Sequence, residues 1–530
     1  MRQRAGLIVP LFSLRGQEGI GTIGDLPAFA AFAAELGFSM LGLLPLQRLF
    51  GGETSPYGAD SAFALDPVYL ELAALPELRD HALDRELSAS TMQASRELAR
   101  CPMVLYQDVR RFKEQAFEVA FSRFEENDWK HGTERAAAFE RFREGTPWLR
   151  DVALFSALRD SFGGHGWTQW PQPVRDRHPQ ALADAEAIHE RRIRYHAWLQ
   201  FVLLEQWTRA RADISHLGIK LFGDVPFGQG TESVDVWAHP GWFRRDASLG
   251  VPPDAFSATG QDWGLPPFDI DPMRSGDTPF QFFRQRLRAT RALYDEFRLD
   301  HVVGYFRQWL WQGMPPQGHF VPGDEPAQHA LGRELLELFR EEIDGVPPGM
   351  TRSGWAGESA IVAEDLGTIP PFVREALTDL GMAGYKVIPW ERGEGQGLRD
   401  PRHFERLSVA TYSTHDTLPI NRWVEEMESW ERDELFALAH VDPRSDSETK
   451  LLKLFELLFS SSSARAFVLA SELTADPTRI NTPGTTGGHN WTWRLPRDPD
   501  GLRADPVHAA RFAKVRERLE RSGRVAGTTV

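Results

Sequence analysis

Cysteine is all but absent: Cys101 is the only one in 530 residues. No intrachain disulfide can form, and neither a thiolate zinc cluster nor a disulfide framework can be drawn. A reducing cytoplasm is the location this composition predicts. Long apolar runs are also missing, and none is long enough to span a bilayer. The apolar segment 5–14 follows Arg2 and Arg4 but lacks a small-residue cleavage pattern and runs into Arg15-Gly16-Gln17-Glu18. It reads as a buried first strand rather than a signal peptide. Basic charge is in deficit, with 60 Lys and Arg against 75 Asp and Glu and a net charge of −15. That balance disfavours a nucleic acid or an anionic membrane as partner and leaves neutral substrates open. No internal repeat, low-complexity tract or metal-ligand spacing is present, so no cofactor and no metal are expected. The oligomeric state is left open.

What the chain has is a series of short apolar runs bounded by Gly, Pro or acidic residues: 7–12, 40–46, 219–225, 298–303, 361–366, 385–390, 408–414 and 466–471. Segments of helical periodicity lie between most of them, for example 25–36 and 371–380. Eight such runs alternating with helices predict an α/β fold, a (β/α)8 barrel filling 1–530 as a single catalytic unit without a carboxyl-terminal β-sandwich. About 170 residues separate the second and third runs, more than one crossover needs. Within them 106–124, 135–143, 149–162 and 193–217 show apolar positions at helical spacing, which predicts a mostly helical inserted subdomain over 75–195. The connection 226–280 is rich in Pro, Gly, Trp and Asp, a composition that suits a substrate-covering loop.

Three of the runs end in carboxylates: Asp300 after Arg298-Leu299, Glu364 after Ile361-Val362-Ala363, and Asp416 beside His415. Barrel strands deliver such side chains to a common mouth at their carboxyl ends. Alternate residues of a strand share a face, so Arg298 and Asp300 point the same way, either as a structural ion pair or as an ionised nucleophile with its guanidinium. Apolar surroundings at Glu364 would raise its pKa and keep a general acid protonated. A helix-start acid held by backbone N–H groups is the other reading, and Asp365 fits it better. The acids are expected on strands that are not neighbours. Among 17 Trp, several fall in expected loops, including Trp237, Trp242, Trp263, Trp309, Trp311, Trp390 and Trp491. Such rings stack on the C–H faces of sugars. Paired acids with a stabilising third suit a glycosidic bond, whose cleavage passes through an oxocarbenium-like state.

Several segments in shared order carry a closer likeness. They are Thr54-Ser55-Pro56-Tyr57-Gly58, Gly223-Asp224-Val225-Pro226-Phe227, Gly250-Val251-Pro252-Pro253-Asp254-Ala255-Phe256-Ser257 and Gly260-Gln261-Asp262-Trp263-Gly264-Leu265-Pro266. Further ones are Arg298-Leu299-Asp300-His301, Ala363-Glu364-Asp365-Leu366-Gly367, Thr414-His415-Asp416 and Asn481-Thr482-Pro483-Gly484-Thr485 with Asn490-Trp491. In these the chain resembles the amylomaltases, the 4-α-glucanotransferases also called disproportionating enzymes. The resemblance implies Asp300 as nucleophile, Glu364 as acid/base and Asp416 as transition-state stabiliser. It implies sugar-binding roles for Tyr57, Asp224, Arg298, His301 and His415, and places Asp254, Gln261 and Trp263 on a loop over the glucan. The implied reaction transfers an α-1,4-glucan segment between maltooligosaccharide or amylose chains by double displacement, with the two carboxyl groups roughly 5–5.5 Å apart. An α-amylase-like hydrolase is the nearest alternative, and a silent glucan-binding protein the other. The chain departs from the family where Val302-Val303-Gly304 follows His301 and where Thr417-Leu418-Pro419 follows Asp416.

Overall fold

The computed structural model describes residues 3–49, 51–79, 87, 89–253, 259–312, 317–354, 357–393, 396–485 and 487–525. The strands in chain order are β1 (Arg4–Ile8), β2 (Met40–Gly42), β3 (Lys220–Val225), β4 (Ser248–Val251), β5 (Gln261–Leu265) and β6 (Glu296–Leu299). They continue as β7 (Gln308–Trp311), β8 (Gly318–Val321), β9 (Ile361–Ala363), β10 (Gly384–Val387), β11 (Ser408–Thr411) and β12 (Arg465–Leu469). Eight of them form one parallel sheet in the order β10-β11-β12-β1-β2-β3-β6-β9. A parallel bridge between Val362 and Ala383, with the Ala363 N–H donating to the Ala383 carbonyl at 2.8 Å, joins the two ends into a barrel. Each of the eight apolar runs overlaps one of these strands, and all but the run of β3 extend past the strand's last residue. Strand β6 ends at Leu299 and β9 at Ala363, so Asp300 and Glu364 come directly after the last strand residue.

Both faces of this sheet are covered, which is why its strands read as apolar runs rather than alternations. Met40, Phe222, Val362, Ala383, Tyr385, Val409 and Phe467 pack inside the barrel. Gly6 is required there, because a Cβ at that position would lie 2.1 Å from the Phe467 ring. At the amino-terminal end Glu296 holds Arg465 at 2.5 Å, Arg4 at 2.8 Å and Lys220 at 3.2 Å, tying four strands together.

Between β2 and β3 the chain forms helices that include Tyr106–Phe124, Glu134–Gly145, Leu149–Ser161 and Glu190–His216. Tyr106–Phe124 buries Val109, Phe112, Ala116, Phe117, Ala120, Phe121 and Phe124, an i, i+3, i+4 stripe. Lys113 is buried on that stripe because its ammonium bonds the carbonyls of Val68 and Leu70 and the Glu18 carboxylate. Among the described residues no helix is long and apolar enough to cross a membrane.

The connection after β3 differs from a loop. Its β4 and β5 join β7 and β8 in a four-stranded antiparallel sheet, order β5-β4-β7-β8, standing over the barrel mouth. Trp309 and Trp311, expected in loops, lie on β7 of this sheet, and Trp237 is buried in the core. Four- and five-residue strands with Gly and Pro at their ends carry too little alternation to be seen locally. The second pairing partner of β4, β7, arrives some sixty residues later.

Candidate active site

Strands β6 and β9 are direct neighbours, with Leu299 opposite Ala363. The expectation of non-neighbouring acid-bearing strands is therefore corrected: Asp300 and Glu364 follow adjacent strand ends. Adjacency is what lets two carboxyl groups approach one bond. The ladder continues through them, since the Glu364 N–H donates to the Leu299 carbonyl at 3.0 Å and the Val302 N–H to the Glu364 carbonyl at 3.2 Å. Between them stands the Arg298 guanidinium, whose Nη2 lies 2.8 Å from Asp300 Oδ1 and 3.9 Å from Glu364 Oε2. Its Nη1 donates to both oxygens of Asp224 at 2.9 Å, and Tyr57 donates to Asp224 Oδ2 at 2.7 Å. Asp224 is buried beneath the cleft and acts on Arg298 rather than facing solvent. Backbone groups also donate to the two acids: Phe227 N–H to Asp300 Oδ2 at 3.1 Å and His301 N–H to Glu364 Oε2 at 2.8 Å.

Asp416 approaches from beyond β11. His415 Nε2 lies 3.2 Å from its Oδ2 and Asn481 donates to its Oδ1 at 2.6 Å, while Arg479 holds its backbone carbonyl. The Tyr57 ring stacks on His415 with centroids 5.1 Å apart, and Trp491 packs against both. On the opposite wall the Trp263 ring meets His301 edge-on at 4.9 Å. His301 sits at φ 45°, ψ 55°, a left-handed conformation that turns its ring into the cleft directly after the nucleophile candidate.

These groups share a cleft of about 720 Å³. Tyr57, Gln261, Trp263, Arg298, Asp300, His301, Glu364, His415 and Asp416 all line it. Asp254 lies outside the described residues. Asp365, read as a helix-start acid, instead accepts the Tyr385 N–H of neighbouring β10 at 2.7 Å and pairs with Arg374.

The environments separate the acids. Burial, together with the nearby Asp300 charge, outweighs Arg298 and pushes Glu364 up to about 8, so it is protonated at neutral pH. Burial alone would raise Asp416 too, but His415 and the Asn481 amide hold it well below the usual carboxylate range. Burial pushes His301 down to about 4, leaving a neutral imidazole. Among the described residues no group of three or more His, Cys, Asp or Glu side chains is placed to hold a metal ion. One protonated and one charge-paired carboxyl group at neighbouring strand ends is the arrangement a glycosidic bond requires.

A family model described as 4-alpha-glucanotransferase matches residues 9–499. The chain belongs to the 4-alpha-glucanotransferase family. It is 30% identical over 508 residues to the 4-alpha-glucanotransferase of Chlamydia trachomatis, covering 92% of this chain and 90% of that one. It is 32% identical over 551 residues to the 4-alpha-glucanotransferase of Thermus thermophilus, covering 97% and 98%. The fold is that of the amylomaltase from Streptococcus agalactiae solved in complex with acarbose. The TM-score is 0.82 at 24% identity, covering 99% of this chain and 100% of that one.

Membership of the 4-alpha-glucanotransferase family leaves several cleft residues that sequence reasoning did not assign. Asn481 lies in a segment that was part of the likeness, yet nothing local showed that its amide would meet Asp416. Trp491 stood among many tryptophans; of those expected in loops, Trp263 and Trp491 line the cleft of this 4-alpha-glucanotransferase. The Phe227 N–H carries no side-chain signal at all.

Proposed function

We propose that the chain transfers α-1,4-glucan segments between maltooligosaccharide or amylose chains by a retaining double displacement, with Asp300 as nucleophile and Glu364 as acid/base. Glu364 protonates the departing glycosidic oxygen while Asp300 attacks the anomeric carbon and forms a glycosyl-enzyme ester. The 4-hydroxyl of an acceptor sugar then attacks that carbon, its proton passes to Glu364, and Asp300 leaves as carboxylate. Asp416, ionised and held by His415 and Asn481, stabilises the cationic sugar between the two steps. Tyr57, Arg298, His301 and His415 hold the sugar, Asp224 sets Arg298 in place, and Gln261 and Trp263 cover it.

The observation that carries this reading is the contrast between Glu364, raised to about 8, and Asp300, paired to Arg298 at 2.8 Å across a neighbouring strand end. Transfer over hydrolysis is supported by the covering sheet, which puts Trp263 above the cleft where an acceptor stacks and water is displaced. A cytoplasmic setting belongs to the same reading.

Purified protein incubated with maltotriose tests it. Free glucose accompanied by longer maltooligosaccharides, both absent in Asp300→Asn, is the expected outcome. Maltose and glucose without longer products would identify a hydrolase instead, and an inert wild type would reject the substrate class.

A further inference from the structure

Helix Gln281–Leu293 packs against β3 and carries Arg286, a residue only 5% exposed. Some buried arginines of this chain meet carboxylates, Arg48 with Asp60, Arg298 with Asp224 and Arg465 with Glu296, while others such as Arg494 and Arg524 are held by backbone carbonyls. Arg286 forms no ion pair among the described residues. Its guanidinium donates to two backbone carbonyls, Nη2 to Pro226 and Nη1 to Phe227 at 3.3 Å. Burying a cation without a carboxylate partner is costly, so what its carbonyl partners do is informative.

The Pro226 carbonyl and the Phe227 N–H belong to one peptide unit. In a trans peptide these two groups point in opposite directions. One end of the Pro226–Phe227 peptide therefore accepts from Arg286, and the other donates to Asp300 Oδ2 at 3.1 Å. Pulling on the carbonyl fixes the peptide plane and polarises the N–H, and a chain of such bonds is stronger than its members taken singly. Phe227 is itself locked, with its ring edge-on to Phe268 at 5.6 Å and to Tyr305 at 4.9 Å.

We propose that Arg286 is a positioning residue for Asp300, acting through the Pro226–Phe227 peptide to steady the carboxylate as it leaves the sugar. The inference rests on Asp300 being the nucleophile. The Phe227 N–H bond is strongest when Asp300 carries full charge. It is therefore worth most in the second displacement. There the acceptor oxygen bonds to the anomeric carbon, the bond from that carbon to Asp300 breaks, its electron pair returns to Asp300, and the acceptor's proton goes to Glu364. Weakening the relay slows that step more than the first, so the glycosyl-enzyme accumulates.

The experiment measures maltotriose disproportionation by Arg286→Met, Arg286→Lys and Asp300→Asn, normalised to folded protein, with intact-protein mass after acid quench. Arg286→Met should lower kcat measurably and by at most about 10²-fold, the scale for losing one preorganised donor outright, without raising the donor KM. A fraction of the protein should then carry added glucosyl mass. Arg286→Lys keeps the cation and most of the volume but cannot reproduce the planar fork, so it should recover part of kcat. It also serves as the test variant where Arg286→Met does not fold. An unchanged kcat per folded molecule in the folded variants, with only a lower Tm, would overturn the proposal. So would a lowered kcat with no added mass and a donor KM raised in proportion. Full activity in Asp300→Asn would instead remove the nucleophile reading, whatever Arg286 does.

Discussion

The backbone N–H of His301 donates to the Glu364 carboxylate at 2.8 Å. The residue after Asp300 is thereby fastened to the acid on the neighbouring strand, which ties the two strand ends together. The left-handed backbone of His301 is what aims that N–H across the strand gap.

Glu364, raised from 4.5 to about 8, should set the basic limb of the pH profile. Activity falls as pH rises through about 8, because the deprotonated carboxylate cannot protonate a leaving oxygen. Glu364→Gln should abolish turnover of maltotriose. A kcat/KM profile flat from pH 6 to beyond 9 would contradict this assignment.

The same shift has a sign for stability. The folded carboxyl binds its proton more tightly than the unfolded one. Its contribution is therefore fully present below the unfolded value of 4.5 and is lost as pH rises through about 8. Urea unfolding of wild type and Glu364→Gln across that window should show wild type losing stability relative to the variant as pH increases.

Asn481→Ala frees Asp416 Oδ1 from its 2.6 Å donor. A hydrogen bond to a charged group of this kind contributes about 1.5–3 kcal/mol, so kcat should fall roughly 10–100-fold. Steady-state kinetics on maltotriose read it directly, and an unchanged kcat would show that Asp416 is held by His415 alone.

Tyr57→Phe removes the 2.7 Å bond to buried Asp224 and a 3.4 Å contact from Arg298, and leaves the Arg298–Asp224 pair in place. The cost should be about 1–3 kcal/mol, read from denaturant midpoints. Because Asp224 then depends on Arg298 alone, catalysis should fall as well.

Trp311 donates through Nε1 to the Gln261 carbonyl at 2.9 Å, pinning the hairpin that carries Trp263. Trp311→Phe keeps an edge-on ring against Trp309 and loses that bond. Hydrolysis should gain relative to transfer, seen as more glucose per long oligosaccharide formed. A product ladder matching wild type would show that the sheet holds Trp263 without this bond.

The barrel was readable because a doubly covered parallel strand must be apolar along its length, a local property visible in 361–366 or 466–471. The placement of Asp300, Glu364 and Asp416 just past such runs was readable for the same reason. Adjacency was not: which strand ends neighbour each other depends on barrel order, and the sequence distance from Asp300 to Glu364 does not encode it. The covering sheet escaped for a related reason, since β4 pairs with β7, and barrel strand β6 lies between them in the chain. Asn481, Arg286 and the Phe227 N–H escaped because none carries a pattern of its own.

Composition and periodicity alone determined an apolar, helix-clad barrel with carboxylates at its strand ends, because burial acts residue by residue along the chain. Tertiary structure decided which acid is protonated and which is paired. A pKa depends on burial and on charges a few ångströms away, and those neighbours, Arg298, Asp224, His415 and Asn481, are brought together only when the barrel closes.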